Sequence, residues 1–320
     1  MSQHDSTIKK IRTIFMGTPD FACPGLTALL AAPEFELVGI FTQTDKPVGR
    51  KQILTPPPIK ELAQKNNLPI FQPLKIKTEI DTIKELRPDL IIVIAYGKII
   101  PPEILAIPTY GCINVHASLL PKYRGAACLN APILNGDSET GVTIMQMDAG
   151  LDTGPILRQA KIKLEGNESL ADVHDRLSEL GAESLVPTVT DFIQGKIKPL
   201  VQDEKEASYI KILKKEDGKI DWSKSATEIE RLIRAYNPWP GSYAIADTSG
   251  TIIKILAVDH QVIKVNTYQI GQIFLSDKSL AVQCGQDALT ILKLQLAGGR
   301  TSTAEEFSRG HQDFIGRVLQ

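Results

Sequence analysis

Residues 11–16, IRTIFM, form a short apolar run that ends at Gly17-Thr18-Pro19-Asp20. Leu26, Leu29 and Leu30 then follow helical spacing, so a strand leads into a helix, with Asp20 as the expected N-cap and Pro24 in the first turn. A βα unit of this kind opens a parallel sheet. Residues 35–41 read as the second strand. Residues 90–95, LIIVIA, are apolar without interruption, as in a central parallel strand covered on both faces. Helices are expected at 59–66 and 78–86, with a short strand at 69–71 between them, and a short helix begins at Pro101-Pro102. Residues 111–121, GCINVHASLLP, read as a strand running into a loop. A small-residue helix follows at 126–134, then strands at 140–147 and 156–164 that pair as a hairpin. A long helix spans 167–194, capped by Asn167.

Beyond residue 200 the pattern changes. Ser225 or Thr227 caps a helix whose apolar face is Ile229, Leu232, Ile233 and Tyr236. Prolines at 238 and 240 forbid its continuation, and Trp239 is expected as a core aromatic beneath that turn. Short strands follow at 243–247, 251–260, 270–275, 280–284 and 289–296. Five strands at turn-separated intervals predict a small OB-like β-barrel. The expected fold is therefore α/β: a Rossmann-like, mostly parallel sheet domain over residues 1–200, a linker at 201–210 and an OB-like barrel domain over 211–320.

Composition narrows the function little. The 320 residues are 42% hydrophobic and 23% charged with a net charge of −1, so no global basic signal points to nucleic acid. From Lys205 onward basic residues number 15 against 13 acidic, a mild tilt that permits RNA contact there. Cys23, Cys112, Cys128 and Cys284 are scattered, with no CxxC pair, which predicts thiols in a reducing cytoplasm rather than a disulfide framework or zinc site. The polar start lacks the apolar core of a signal peptide, and no apolar run is long enough to span a bilayer. The turn after the first strand holds one glycine, Gly17, not G-x-G-x-x-G, which disfavours a nicotinamide or flavin enzyme.

Three stretches carry candidate chemistry. Asn114 and His116 share one face of a strand whose carboxyl end, in an open α/β sheet, borders the ligand crevice. Such a pair either polarises a carbonyl and moves a proton or simply hydrogen-bonds at a sheet edge. The connection 42–58 is long for a compact domain and carries Lys46, Arg50 and Lys51 before three prolines. It is either a basic flap over a polyanion or a solvated loop. The loop at 148–155 holds Asp148 and Asp152 between glycines, where either carboxylate could make an Asx-turn.

Taken together and in order, the segments MGTPDFA (16–22), DKPVGR (45–50), NVHASLLPKYRG (114–125), MDAGLDTG (147–154) and NPWPG (237–241) closely resemble the methionyl-tRNA formyltransferases of the folate-dependent formyltransferase superfamily. The resemblance covers residues 11–317. It implies 10-formyltetrahydrofolate as formyl donor and the α-amino group of initiator methionyl-tRNA as acceptor, in a cytoplasmic, monomeric enzyme needing no metal, DNA or membrane. Residue by residue it implies catalytic roles for Asn114, His116 and Asp152, and folate binding by Ser118, Leu119, Leu120 and Pro121. The loop of Lys46, Arg50 and Lys51 would approach the tRNA acceptor end, although Lys51-Gln52-Ile53 is less basic than in some relatives. Asn114 would donate to the formyl oxygen, His116 would shuttle the proton between attacking amine and leaving nitrogen, and Asp152 would hold a water or the imidazole. Formylation of a sugar-nucleotide amine is the competing enzymatic reading. A folate- or RNA-binding module without transfer would not need all three groups.

Overall fold

The apolar run at the start becomes strand β1 (Ile11–Gly17), and Ile14, Phe15 and Met16 within it are wholly buried. This is a computed structural model, and it describes residues 10–49, 51–246 and 250–320. After β1 come α1 (Cys23–Ala31), β2 (Phe35–Phe41), β3 (Lys46–Val48), β4 (Ile53–Thr55), α2 (Pro58–Lys65), β5 (Ile70–Phe71), α3 (Ile80–Glu85), β6 (Leu90–Ile94), α4 (Pro102–Leu105) and β7 (Cys112–His116). Then follow α5 (Ala131–Asn135), β8 (Glu139–Gln146), β9 (Ile156–Lys163) and α6 (Leu170–Ile193). Seven strands make one sheet in the order β5-β2-β1-β6-β7-β8-β9. Pairing is parallel from β5 to β7, and β8 runs antiparallel to β7. All five residues of β6 are buried, which is what its unbroken apolar run requires.

Several local expectations shift. Asp20 does not cap α1. It opens a short 3-10 turn, Asp20–Ala22, where its carboxylate accepts the Phe21 N–H at 3.0 Å, and α1 begins with Pro24 in its first turn. The small-residue helix is shorter than expected: Pro132 sets its start and left-handed Gly136 ends it. Ser169 rather than Asn167 holds the start of α6, exchanging hydrogen bonds with Asp172 through both its backbone and its hydroxyl. The long connection 42–58 is not structureless, because β3 and β4 pair as an antiparallel hairpin with Lys46 opposite Thr55.

Chain contacts divide the molecule into two units. The first contains the chain up to Gly125 with Thr140–Ile162 and His174–Ile210; the second contains Ala126–Glu139, Lys163–Val173 and Lys211–Gln320. In the second unit, α7 (Ala226–Tyr236) is followed by β10 (Ser242–Ile245), β11 (Ile252–Val258), β12 (Ile273–Ser276), β13 (Ser279–Gln283), β14 (Ala288–Leu296), β15 (Ser302–Thr303) and α8 (Ala304–Gly310). Ser225 caps α7 with a full capping box to Glu228. The strands run β10-β11-β14-β13-β12, all antiparallel, around a core that includes Trp222, Ile229, Ile255, Leu289 and Phe307.

The segment 316–320 joins the two outer strands of that sheet. Gly316 N–H donates to the Ile273 carbonyl and Ile273 N–H to Arg317, while Ile245 and Gln320 exchange a pair of backbone bonds at 2.8 and 2.9 Å. The antiparallel sheet is thereby closed into a small barrel. Trp239 is 56% exposed, contrary to the expectation of a core position, and Trp222 is the indole in the barrel core. Among the described residues no helix is long and apolar enough to cross a membrane.

Candidate active site

Alternation along β7 sends Ile113 and Val115 into the core and leaves Asn114 and His116 together on the other face. His116 is the last residue of β7, at the carboxyl edge where the parallel strands β1, β2 and β6 also end. Asn114 lies level with Val93 of β6 and Met145 of β8. Its side-chain amide is half-buried and makes no hydrogen bond to another described residue, so its N–H groups are available to a ligand.

The His116 ring is 6% exposed and held at one nitrogen. Nε2 lies 3.0 Å from the Tyr123 carbonyl. A carbonyl only accepts, so Nε2 carries the proton in the neutral ring and Nδ1 is the nitrogen that gains or loses one. Nδ1 faces Asp152 Oδ2 at 3.7 Å, a gap too long for a direct hydrogen bond and suited to an ion pair once the ring is protonated. Asp152 sits in the loop between β8 and β9 with φ +55°, a left-handed conformation that aspartate tolerates better than most residues. Its Oδ2 also accepts the Gly125 N–H at 2.8 Å. The expected trio of Asn114, His116 and Asp152 therefore comes from one strand and one loop. Together they offer an amide donor bonded to no other described residue, an imidazole nitrogen and a carboxylate, which can stabilise charge on a carbonyl oxygen and relay a proton.

The segment 118–121 is rigidly held. Ser118 is wholly buried and its hydroxyl donates to the Lys122 carbonyl at 2.6 Å, so it shapes the loop. Thr143 Oγ1 donates to the Ser118 carbonyl and accepts from Leu120 N–H, and Gln159 Nε2 donates both to Thr143 Oγ1 and to the Leu120 carbonyl. Leu120 is buried, while Leu119 and Pro121 are part-exposed. Of this segment, Leu119 and Pro121 are the residues with surface to offer a ligand.

The hairpin stands at the same edge of the sheet. Gln43 Nε2 donates to the Tyr96 carbonyl after β6, and Thr18 after β1 donates to the same oxygen. At its base, hydrogen bonds from Gln72 and Lys60 hold the Asp45 carboxyl below the usual range. Lys46 is exposed with Nζ 2.7 Å from Gln43 Oε1, and Lys51 is exposed at the tip. Arg50 lies outside the described residues. Val48, Ile53 and Leu54 are all more than half exposed, an apolar surface without burial on the hairpin itself.

Sequence reasoning missed a second group. Arg124 is wholly buried, and its guanidinium donates to Gln202, Glu204 and Tyr209. The segment 201–210, expected as a linker, and Leu200 just before it belong to the first unit. Leu200 exchanges backbone bonds with Ile156, Arg124 N–H donates to the Ser208 carbonyl, and Ile210 N–H donates to the Arg124 carbonyl. The available signal was a lone arginine in the K-Y-R-G stretch, with partners some eighty residues away.

The fold belongs to a class already described. A formyl transferase family profile matches residues 9–189, and a second, for the formyl transferase C-terminal domain, matches residues 212–312. The chain belongs to the formyl transferase family. It is 46% identical over 311 residues to the methionyl-tRNA formyltransferase of Trichlorobacter lovleyi, covering 96% of each chain, and 44% identical over 303 residues to that of Geobacter sulfurreducens, covering 94% of each. Among solved structures, an N-formyltransferase of Helicobacter canadensis in complex with folinic acid and dTDP-3-aminofucose shares the fold, with a TM-score of 0.64 at 20% identity over 88% of this chain and 99% of that one.

Proposed function

We propose that this formyl transferase moves the formyl group of 10-formyltetrahydrofolate to the α-amino group of methionine on initiator methionyl-tRNA. One observation carries the reading: the unpartnered Asn114 amide beside the His116–Asp152 pair, in a chain that aligns through both units with methionyl-tRNA formyltransferases. When the amine attacks the formyl carbon, negative charge gathers on the formyl oxygen, where the Asn114 N–H groups are free to donate. His116 takes up the amine proton at Nδ1 and delivers it to the leaving nitrogen, with Asp152 balancing the imidazolium charge. Leu119 and Pro121 supply part of the folate surface, and the wholly buried Ser118 keeps their loop in shape. The hairpin carrying Lys46, Arg50 and Lys51 meets the acceptor end of the tRNA. The barrel unit grips its backbone, the enzyme working as a cytoplasmic monomer.

The test is direct. The protein is incubated with 10-formyltetrahydrofolate and one of three acceptors: methionyl initiator tRNA, methionyl elongator tRNA or an amino-sugar nucleotide. Formylation of the initiator in preference to both others is expected. Transfer to the sugar alone would move the enzyme to that substrate class, and no transfer to any acceptor would refute the reading. A KM for the charged tRNA that does not rise with salt would count against the basic contacts.

A further inference from the structure

Gln202 lies in the segment 200–210 and is only 6% exposed, yet its amide is satisfied on both sides. Oε1 accepts from Arg124 Nε at 3.1 Å and from a terminal nitrogen of the same guanidinium at 2.9 Å. Nε2 donates to the Asp152 carbonyl at 2.9 Å and to the Gly154 carbonyl at 2.7 Å. A guanidinium only donates and a carbonyl only accepts, so the amide has one workable orientation. Arg124 is itself fastened by both oxygens of Glu204, at 2.7 and 2.9 Å, and by the Tyr209 hydroxyl at 2.8 Å. Its five N–H groups are all used, so it cannot turn away from Gln202.

The far end of this chain of contacts is the Asp152 turn. Asp152 holds a left-handed φ of +55°, which costs backbone energy and persists only where neighbours enforce it. The turn is packed tightly: a Cβ on Gly154 would lie 1.8 Å from the Gln146 carbonyl. The carboxylate meets Gly125 N–H and faces His116 Nδ1 only while that turn keeps its shape.

We infer that Gln202 is a positioning residue for Asp152, gripping the carbonyls of residues 152 and 154 so that the carboxylate is aimed at His116. The inference rests on the role proposed above for Asp152. It makes the segment 200–210 part of the catalytic apparatus rather than a tether. Gln202→Glu keeps oxygens for Arg124 but turns an acceptor toward two carbonyls, whereas Gln202→Met removes both halves of the contact. Since small misplacements of a reacting group are costly, each variant should lose roughly 10- to 100-fold in kcat, with both KM values changed less than about threefold. In an Asp152→Asn background, adding Gln202→Glu should cost less than about twofold, because no carboxylate remains to be aimed.

A readout independent of turnover is hydrogen exchange at the Gly125 amide, which should quicken by about tenfold or more in Gln202→Glu if the carboxylate is displaced. Unchanged exchange at Gly125, or a kcat loss of equal size in both backgrounds, would overturn the inference. So would a lowered melting temperature with normal kcat per folded enzyme. If Asp152→Asn keeps parental turnover, the proposed role of Asp152 fails, and the exchange measurement still decides whether Gln202 positions the turn.

Discussion

Replacing Asn114 with alanine separates catalysis from folding more cleanly than any other change in the site. The amide is half-buried and bonded to no described protein group, so its removal strands no partner. Only the fit of a short side chain on one strand face is lost, which host-protein scales place within about 1 kcal/mol. Loss of one oxyanion donor costs about 100- to 1,000-fold in kcat, or about 2.7–4 kcal/mol of transition-state stabilisation. The asymmetry is the point: the effect should fall almost wholly on kcat, leaving the melting temperature within a few degrees of the parent. His116→Ala is less clean. It removes a hydrogen bond to the Tyr123 carbonyl, worth about 0.5–1.5 kcal/mol net, together with the packing of a ring that is 6% exposed. The assay is steady-state formylation of methionyl initiator tRNA at saturating formyl donor, beside thermal melts of the same preparations. Asn114→Ala retaining kcat within about threefold of the parent would refute the oxyanion role. So would a melting temperature lowered as far as that of His116→Ala, since the amide would then be doing structural work.

Asp152→Asn preserves a side chain that tolerates φ +55° and removes only the charge facing His116 Nδ1, so kcat should fall by about 100-fold or more with the fold intact; a circular dichroism spectrum unlike the parent's would void that reading. Ser225→Ala removes the capping box of α7 and should cost about 1 kcal/mol, read as a lower denaturant midpoint; an unchanged midpoint would mean water replaces the cap. Alkaline pH should destabilise the fold. Burial pushes the Cys112 and Cys284 thiols from the usual 9.0 up to about 12, and burial with the nearby Glu79 charge raises the Tyr96 phenol to about 12. Above pH 9 the unfolded chain sheds protons that the native chain keeps, so stability declines as pH rises from 9 toward 12. A denaturant midpoint that is flat over that range would contradict this.

What could be read from the sequence was whatever side-chain burial writes locally. The bounds of β2 come out as 35–41 because a mostly apolar run, buried continuously from Val38 to Phe41, is bounded by Pro33-Glu34 before it and Thr42-Gln43 after it, and β6 announces itself by having no polar residue at all. Asn114 and His116 were visible as a same-face pair because strand periodicity needs only two residues of separation. The hairpin 46–55 was not visible, since Val48, Ile53 and Leu54 are exposed and follow no inside–outside rule. Nor was the Arg124–Gln202–Glu204 group, whose arginine lies 78 and 80 positions from its two partners and meets them by polar contacts that leave no periodic trace. The Ser169–Asp172 box was written in the sequence but obscured by Asn167 just upstream, an equally good capping residue type.

The closing segment 316–320 has a consequence for association. Without it, β12 would present unsatisfied backbone groups at Ile273, and β10, whose Tyr243 carbonyl is already held by Ile220 N–H, would do so at Ile245, the arrangement by which sheets recruit foreign strands. By bonding to Ile245 on one side and Ile273 on the other, five residues cover the open part of both edges at once. A chain shortened before Gly316 would therefore be expected to cross-pair with other copies of itself, and its failure would be seen as oligomers in light scattering before it was seen as lost secondary structure.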